Sequence, residues 1–246
     1  MRLWLGLGLL GLLALAAILA PFAQDWLGHD PFTPDLFKRH VGASPEHPLG
    51  TDELGRDLLL RLLFGARVSL SVGLATAIAA ALLGTAIGVL AAWRGGVVDA
   101  LLMRLADGML ALPALPVLVV LAAADTGRIG LPRGEALSVL SRDYVRAARA
   151  LGASEARVLL RHVLPNIAGP VAVATALAVA GAILAESTLS FLGLGIAPPA
   201  ASWGNMLSNA QDLVFSAPWA AVWPGLAILL AVAGCTLVAD GLASRR

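Results

Sequence analysis

The sequence is short of charge, cysteine and lysine. Only 13% of its 246 residues are charged and 59% are apolar, with a mean hydropathy of +0.84. A soluble domain carries roughly 25% charged residues, so this composition predicts a protein embedded in a lipid bilayer. The single cysteine, Cys235, excludes an intramolecular disulfide framework. Because Lys38 is the only lysine, nearly all of the positive charge is arginine.

Sequence motifs for two kinds of chemistry are also missing. The chain has no G-x-x-x-x-G-K-[ST] loop to bind nucleotide phosphates and no G-x-S-x-G elbow of a serine hydrolase. All four histidines lie outside the apolar runs, which argues against an intramembrane Ser–His hydrolase. We therefore predict no catalytic residue, no cofactor, no resident metal and no nucleic-acid partner.

Long apolar runs predict several transmembrane helices, since a helix needs about 20 apolar residues to cross a bilayer core of about 30 Å. Four runs are clear: 3–20, 68–93, 167–185 and 219–239. The first is longer than the roughly 7–15 apolar residues of a signal peptide, so we expect an uncleaved helix over residues 1–23, with Pro21 at its exit. A fifth run, 109–124, is short and contains Pro113 and Pro116.

Small residues recur along the second run at intervals of three or four, at Gly73, Ala77, Ala80, Gly84 and Gly88. In lipid, such spacing allows helix backbones to approach closely. The pattern favours tight helix packing, and it is also compatible with a face that lines a transport pathway.

Region 24–67 is polar and rich in proline, and we expect it to be an extracytoplasmic loop. Thr51 is a candidate N-cap, with Asp52 and Glu53 in the first turn, where negative charge suits the helix dipole. Arginines then alternate with leucines up to residue 67, a pattern typical of an amphipathic helix at the membrane interface. His47 and the neighbouring carboxylates could also form a metal site, but their spacing is not diagnostic.

The loop 196–218 contains no lysine or arginine, which indicates a non-cytoplasmic location. Glu186 lies just before it, inside an apolar run. An ionisable group at membrane depth is a candidate functional residue. The alternative is that Glu186 already lies at the outer interface, where a charge costs little.

The segment 141–166, SRDYVRAARALGASEARVLLRHVLPN, is an arginine-rich connection between apolar runs. Its apolar residues follow helical spacing, Gly152 and Ser154 mark a helix end and a new N-cap, and Leu164-Pro165 is expected to end the second helix. Seven of the 17 basic residues lie from Arg128 to Arg161, so we expect this side to be cytoplasmic. Such a helix–turn–helix needs either a groove on a partner protein or a lipid surface.

This pattern resembles the coupling-loop signature of prokaryotic ABC importer permeases: Glu-Ala-Ala, three residues, Gly, nine residues, Ile, any residue, Leu-Pro. Ala147-Ala148, Gly152 and Leu164-Pro165 stand at those intervals, whereas Arg146 replaces the Glu and His162 replaces the Ile. Stretches 47–57, 186–207 and 217–228 resemble the dipeptide/oligopeptide/nickel branch of that family.

The resemblance implies an all-α membrane protein, a bundle of transmembrane helices with a cytoplasmic coupling helix–turn–helix. It implies a permease subunit, in the prokaryotic inner membrane, of an ATP-driven importer for peptides or a related small solute such as nickel. Its expected partners are ATP-binding subunits that hydrolyse ATP in trans, a second permease subunit in a heterodimer, and an extracytoplasmic substrate-binding protein. The residues expected at the ATPase contact are Tyr144, Arg146, Ala147, Ala148, Leu151, Gly152, Ala153, Leu164 and Pro165.

We expect residues 68–246 to form the permease transmembrane domain, including the coupling loop 141–166. The number of spans departs from that family, which typically has about six. The span expected between Ala124 and Arg133 is missing, leaving about five in the whole chain. Five full crossings cannot bring Arg2, Arg94 and the 128–161 block to one side. Either run 109–124 is re-entrant, leaving four crossings, or the chain is a non-functional deletion variant. A stand-alone channel or a scaffold with a lipid-binding loop is a further alternative.

Overall fold

The computed structural model describes residues 1–111, 158–213 and 215–244. Within these ranges the helices are α1 (Arg2–Leu27), α2 (Leu58–Arg94), α3 (Gly96–Ala111), α4 (Leu164–Phe191), α5 (Trp203–Asn209) and α6 (Trp219–Ala243). A π-helical turn, Leu159–Val163, precedes α4, and two short 3₁₀ turns cover Leu36–Lys38 and Gln211–Leu213. The extended pairing in these ranges is one isolated bridge, Thr51 to Asp57. The predicted all-α membrane fold is confirmed.

Four helical stretches of the described ranges are long and apolar enough to cross a membrane: Arg2–Leu27, Leu58–Arg94, Arg161–Phe191 and Trp219–Ala243. They coincide with the four clear apolar runs of the sequence. The fifth predicted run, 109–124, extends beyond α3 and lies mostly outside the described residues, so the re-entrant interpretation of that run stays a prediction.

The four spanning helices form a closed ring, because α1 packs on α2 and α6 while α4 packs on the same two helices. Glycines bring the backbones together. A Cβ on Gly6 would lie 2.7 Å from the carbonyl oxygen of Gly234, and one on Gly73 would lie 2.5 Å from Cγ1 of Ile183. The small-residue spacing of α2 therefore serves helix packing at Gly73, as predicted.

The ring has two ends, which we call the Arg2 face and the loop face. At the Arg2 face, Arg2 pairs with Asp240 at 3.5 Å, and Val89 of α2 clusters with Val163 and Ile167 at the start of α4. The loop face carries residues 28–57 and 192–218, and there Leu58 clusters with buried side chains of the second loop. Since α2 ends and α4 begins at the Arg2 face, residues 95–163 leave and return at the same end of the bundle.

Helix α1 is longer than the sequence suggested. It continues through Pro21 to Leu27 and is capped by Gly28, which takes a left-handed conformation with φ of 69°. Pro21 removes one backbone hydrogen bond, to the carbonyl of Ala17, and a membrane helix tolerates such a loss. The helix predicted over residues 1–23 is therefore about one turn too short at this end.

The predicted start of the second helix is also wrong. Asp57, not Thr51, is the N-cap of α2, and its carboxylate accepts from the backbone N–H of Leu60 at 2.9 Å. Thr51 instead accepts from the N–H of Val41. A tight turn at Gly55, with φ of 77°, separates Asp52 and Glu53 from the helix; a Cβ there would collide with the Asp35 carbonyl.

The expected interfacial amphipathic helix is the first part of α2 and not a separate element. Arg61 is only 1% exposed, so it does not face lipid headgroups. With 37 residues, α2 is about 55 Å long, considerably longer than a bilayer core of about 30 Å. We conclude that its first turns extend beyond the core at the loop face and are stabilised by the loop.

Candidate functional site

The predicted coupling residues fall into two groups. Tyr144, Arg146, Ala147, Ala148, Leu151, Gly152 and Ala153 lie outside the described residues. Leu164 and Pro165 are described and form the beginning of α4. The role of all nine residues in contacting an ATPase therefore stays a prediction.

The exit from the coupling segment is a continuous helix, which corrects the expectation that Leu164-Pro165 would end one. The π-helical turn Leu159–Val163 joins α4 directly. Pro165 cannot donate to the carbonyl of Arg161, and its ring would crowd that carbonyl in a regular α-helix. A wider π turn relieves this crowding, so the chain passes into the membrane without a break.

Glu186 lies near the end of α4, close to the loop face, but it is not exposed to solvent. Only 7% of the Glu186 surface is exposed. One carboxylate oxygen accepts from the hydroxyl of Ser69 on α2 at 2.9 Å, and the other accepts from the hydroxyl of Ser190 on α4 at 2.7 Å. Ser187 adds a longer contact of 3.4 Å. The structure thus buries Glu186 between α2 and α4, and its position at membrane depth stays a prediction.

The two serines extend this network to the loop that follows α4. The hydroxyl oxygen of Ser69 accepts from the backbone N–H of Trp203 at 3.2 Å, and that of Ser190 accepts from the N–H of Ile196 at 3.1 Å. Each hydroxyl therefore donates to the carboxylate and accepts from the backbone. We call Glu186, Ser69 and Ser190, with these two N–H groups, the Glu186 network.

Helix α5 fits closely into the crevice between α2 and α4. Trp203 is fully buried, and its indole N–H donates to the carbonyl of Leu62 at 3.2 Å. A Cβ on Gly204 would lie 2.5 Å from the carbonyl oxygen of Ser187, and one on Gly65 would lie 3.2 Å from the Trp203 ring. Ser202 and Asn205 form a capping box at the start of α5. The loop after α4 is thus fixed in place.

A second polar cluster holds residues 28–57 against α2. The Asp52 carboxylate accepts from Nε of Arg56 at 2.7 Å and lies 3.3 Å from Nε of Arg61. Arg56 also donates to Glu53, and Arg61 donates to the carbonyl of Pro31 at 3.2 Å. Burial raises the pKa of Glu53 and the neighbouring Asp52 adds to this, whereas Arg56 acts in the opposite direction.

The carboxylates considered for a metal site are committed to this structural role. The ring of His47 contacts the Asp57 carboxylate through Nδ1 at 2.8 Å, and Asp57 also caps α2. Over the described ranges, no group of three or more His, Cys, Asp or Glu side chains could hold a metal ion.

The sequence indicated Glu186 but not its partners on other elements. Ser190 lies four residues further along the same helix, and this i, i+4 spacing was a readable signal. Ser69 and Trp203 are 117 and 17 residues away in sequence, so only the packing of α2 and α5 on α4 brings them together.

The comparisons with known proteins agree with this architecture. Residues 115–245 match the family of binding-protein-dependent transport system inner membrane components. A putative peptide transport system permease protein of Brucella suis is 40% identical, over 97% of this chain and 84% of that protein. The chain belongs to this family.

Further relatives of this binding-protein-dependent family align over similar lengths. An oligopeptide transport system permease protein of Bacillus subtilis is 35% identical, over 94% of this chain and 81% of that protein. A probable D,D-dipeptide transport system permease protein of Escherichia coli is 38% identical, over 89% and 79%.

Family membership confirms that the chain is a permease subunit of a binding-protein-dependent transport system and a multi-pass protein of the prokaryotic inner membrane. The resemblance seen in the coupling-loop pattern is thus confirmed at the level of the family. The scaffold and stand-alone channel alternatives receive no support from the relatives.

Proposed function

We propose that this chain forms part of the translocation path of an ATP-driven importer for peptides or a related small solute. The observation that carries this proposal is the alignment, over nearly the whole chain, with relatives whose names specify peptide transport. Its partners would be ATP-binding subunits, a second permease subunit and an extracytoplasmic substrate-binding protein.

The distribution of charge supports one orientation in the membrane. Seven of the 17 basic residues lie between Arg128 and Arg161, immediately before α4, and such clusters favour the cytoplasmic side. The Arg2 face would then be cytoplasmic and would present the coupling segment 141–166 to the ATP-binding subunits. The loop face would be extracytoplasmic, where a binding protein delivers the solute.

Coupling would use the continuous helix at the start of α4. ATP binding to the partner subunits would move Tyr144–Ala153, and the unbroken passage from Val158 into α4 would carry that movement into the membrane bundle. The two access states need differ by only a few kcal/mol, each favoured by a different ligand. In this proposal the chain itself breaks no covalent bond.

The proposal is tested with Gly152→Pro and Ala148→Arg, in the complex co-expressed with the genes neighbouring this one. Proline cannot adopt the left-handed helix end expected at Gly152, and arginine would fill the space of a small contact residue. We expect each variant to lower binding-protein-stimulated ATP hydrolysis and uptake of radiolabelled dialanine about tenfold or more, a coupling loss of about 1.4 kcal/mol.

Ala243→Arg is the matched control, because Ala243 is exposed at the end of α6 on the same face and positive charge suits a helix C-terminus. It should leave hydrolysis and uptake unchanged. If no ATP-binding subunit co-purifies, or if Gly152→Pro transports normally, the importer assignment is wrong and a stand-alone channel or scaffold takes its place.

A further inference from the structure

Within the described residues, the Glu186 carboxylate is buried without a cationic partner. In the parts of the chain that the structure describes, the salt bridges join other residues, and both carboxylate oxygens are occupied by serine hydroxyls. Burying a carboxylate is costly, and it is compensated here by the hydroxyl of Ser69 on α2 and by those of Ser187 and Ser190 on its own helix α4. Because the bond from Ser69 joins α2 to α4, the buried carboxylate connects two helices and does not serve α4 alone.

A carboxylate is the group that can orient both serines at once. Because each of its oxygens only accepts, Ser69 and Ser190 must both direct their O–H groups toward Glu186. Their oxygens are then free to accept from the N–H groups of Trp203 and Ile196. An amide at position 186 would accept from one serine only, and its NH2 group would donate to the other serine, whose own O–H would then lose its acceptor.

The connected elements would be difficult to separate. Ser69, Ser190 and Trp203 are each 2% exposed or less, so opening the crevice would leave buried polar groups unpaired, which is strongly unfavourable. One helical turn further into the bundle, α2 and α4 touch where Gly73 meets Ile183. A state in which α2 moves away from α4 would lose both the network and this contact.

We propose that Glu186 is a positioning residue that holds α2, α4 and α5 together as one body throughout the transport cycle. This inference rests on the proposed function, since it assigns the change between access states to contacts outside this body. Glu186 does not touch the transported solute in this scheme. It keeps the loop face closed on the α2–α4 side, so that movement of α4 is transmitted to the whole body.

The first test crosslinks α2 to α4 with Gly73→Cys and Ile183→Cys in a Cys235→Ala background, within the purified transporter complex. A Cβ on Gly73 would lie 2.5 Å from Cγ1 of Ile183, which is within disulfide reach. We expect equal crosslinking in the nucleotide-free and the ATP–vanadate-trapped complex, with ATP hydrolysis retained after oxidation. Crosslinking that is lost in one state, or hydrolysis that stops on oxidation and returns with reductant, would overturn the proposal.

The second test removes the network and restores it covalently. With the crosslinking pair reduced, we expect Glu186→Gln to raise ATP hydrolysis in the absence of binding protein by about fivefold or more, because a loosened body couples poorly. Oxidising the pair in that variant should return hydrolysis to the parent level. Because a disulfide also stabilises a fold in general, thermal unfolding of the reduced variant is measured alongside. An unfolding temperature equal to the parent's, together with the reversal, separates positioning from simple stability.

If Glu186→Gln does not assemble, Ser69→Ala is measured in the same way, because it removes the hydrogen bond between α2 and Glu186 and keeps the carboxylate. Thr188→Ala is the control: its hydroxyl is exposed and bonds only within α4. Normal coupling in both Glu186→Gln and Ser69→Ala, or uncoupling that oxidation leaves unchanged, would refute the proposal. Absence of ATP-binding subunits from the parent complex would instead refute the proposed function.

Discussion

Asp57 stabilises two parts of the loop face with one carboxylate. One oxygen caps α2 through the N–H of Leu60, and the other contacts the buried ring of His47 at 2.8 Å. Ser69 has a similar double role, between Glu186 and Trp203. In a protein with so few charged side chains, such residues fix the relative positions of helices and loops that apolar contacts alone would not fix.

Glu53 is the residue for which a pH dependence of stability is expected. Burial, followed by the Asp52 charge, raises its pKa above the ordinary value. A carboxyl whose pKa is raised in the folded state contributes stability fully below its unfolded pKa, and this contribution is lost as the pH rises through the folded value. Ionisation of Glu53 is therefore destabilising.

We expect Glu53→Gln to remove this dependence. The unfolding temperature of the variant minus that of the parent should be larger near pH 7 than near pH 4, since glutamine never ionises. Thermal unfolding of the detergent-solubilised protein measures this difference. Glu46→Gln, at a more exposed carboxylate of the same loop, controls for the removal of one charge, and a difference of the opposite sign would contradict the assignment.

At the scale of elements, the spans were predictable because hydrophobicity acts over a whole helix, whereas helix ends depend on single contacts. The run 219–239 gives α6 almost unchanged. The helix expected over residues 1–23 continues to Leu27, and Thr51 was expected to cap α2, a role that belongs to Asp57. These ends depend on the tolerance of a lipid-embedded helix for proline and on the turn at Gly55, which periodicity does not encode.

The contact between α1 and α6 gives a prediction about helix packing. A side chain on Gly6 would collide with the backbone of α6 at Gly234 and Val238, whereas one on Gly8 would meet nothing within 4 Å. We expect Gly6→Val to destabilise the bundle by about 2 kcal/mol or more and Gly8→Val to have little effect. Because both variants replace glycine by valine in the same helix, the change in helix propensity cancels in the comparison. Thermal unfolding in detergent measures the two stabilities, and an equal loss in both variants would contradict the contact.

At the scale of the whole molecule, the four described spans resolve part of the conflict that five full crossings created. Arg2, Arg94 and Arg161 lie at the same end of the ring, because α2 ends where α4 begins. The sequence could show that the arginines demanded one side but not how the chain meets that demand. Only the packing of Val89 against Val163 shows that residues 95–163 return to their starting face.

This topology predicts a labelling pattern in intact cells. In a Cys235→Ala background, Phe37→Cys and Phe215→Cys, both at fully exposed positions of the loop face, should react with a membrane-impermeant maleimide from outside. Val97→Cys, Ser138→Cys and Ser244→Cys should react only after permeabilisation, because basic segments favour the cytoplasm. Labelling of Ser138→Cys only from outside would invalidate the cytoplasmic position of the coupling segment.

The packing of α1 against α6 has a consequence for how the protein is made. α1 ends at Leu27, whereas α6 begins at Trp219. At roughly 5–20 residues per second of synthesis, the ribosome produces α6 some 10–40 s after α1. Through that interval the Gly6 surface of α1 must be shielded by lipid or by the insertion machinery. A nascent chain halted before Trp219 would leave this surface without the helix that packs on it.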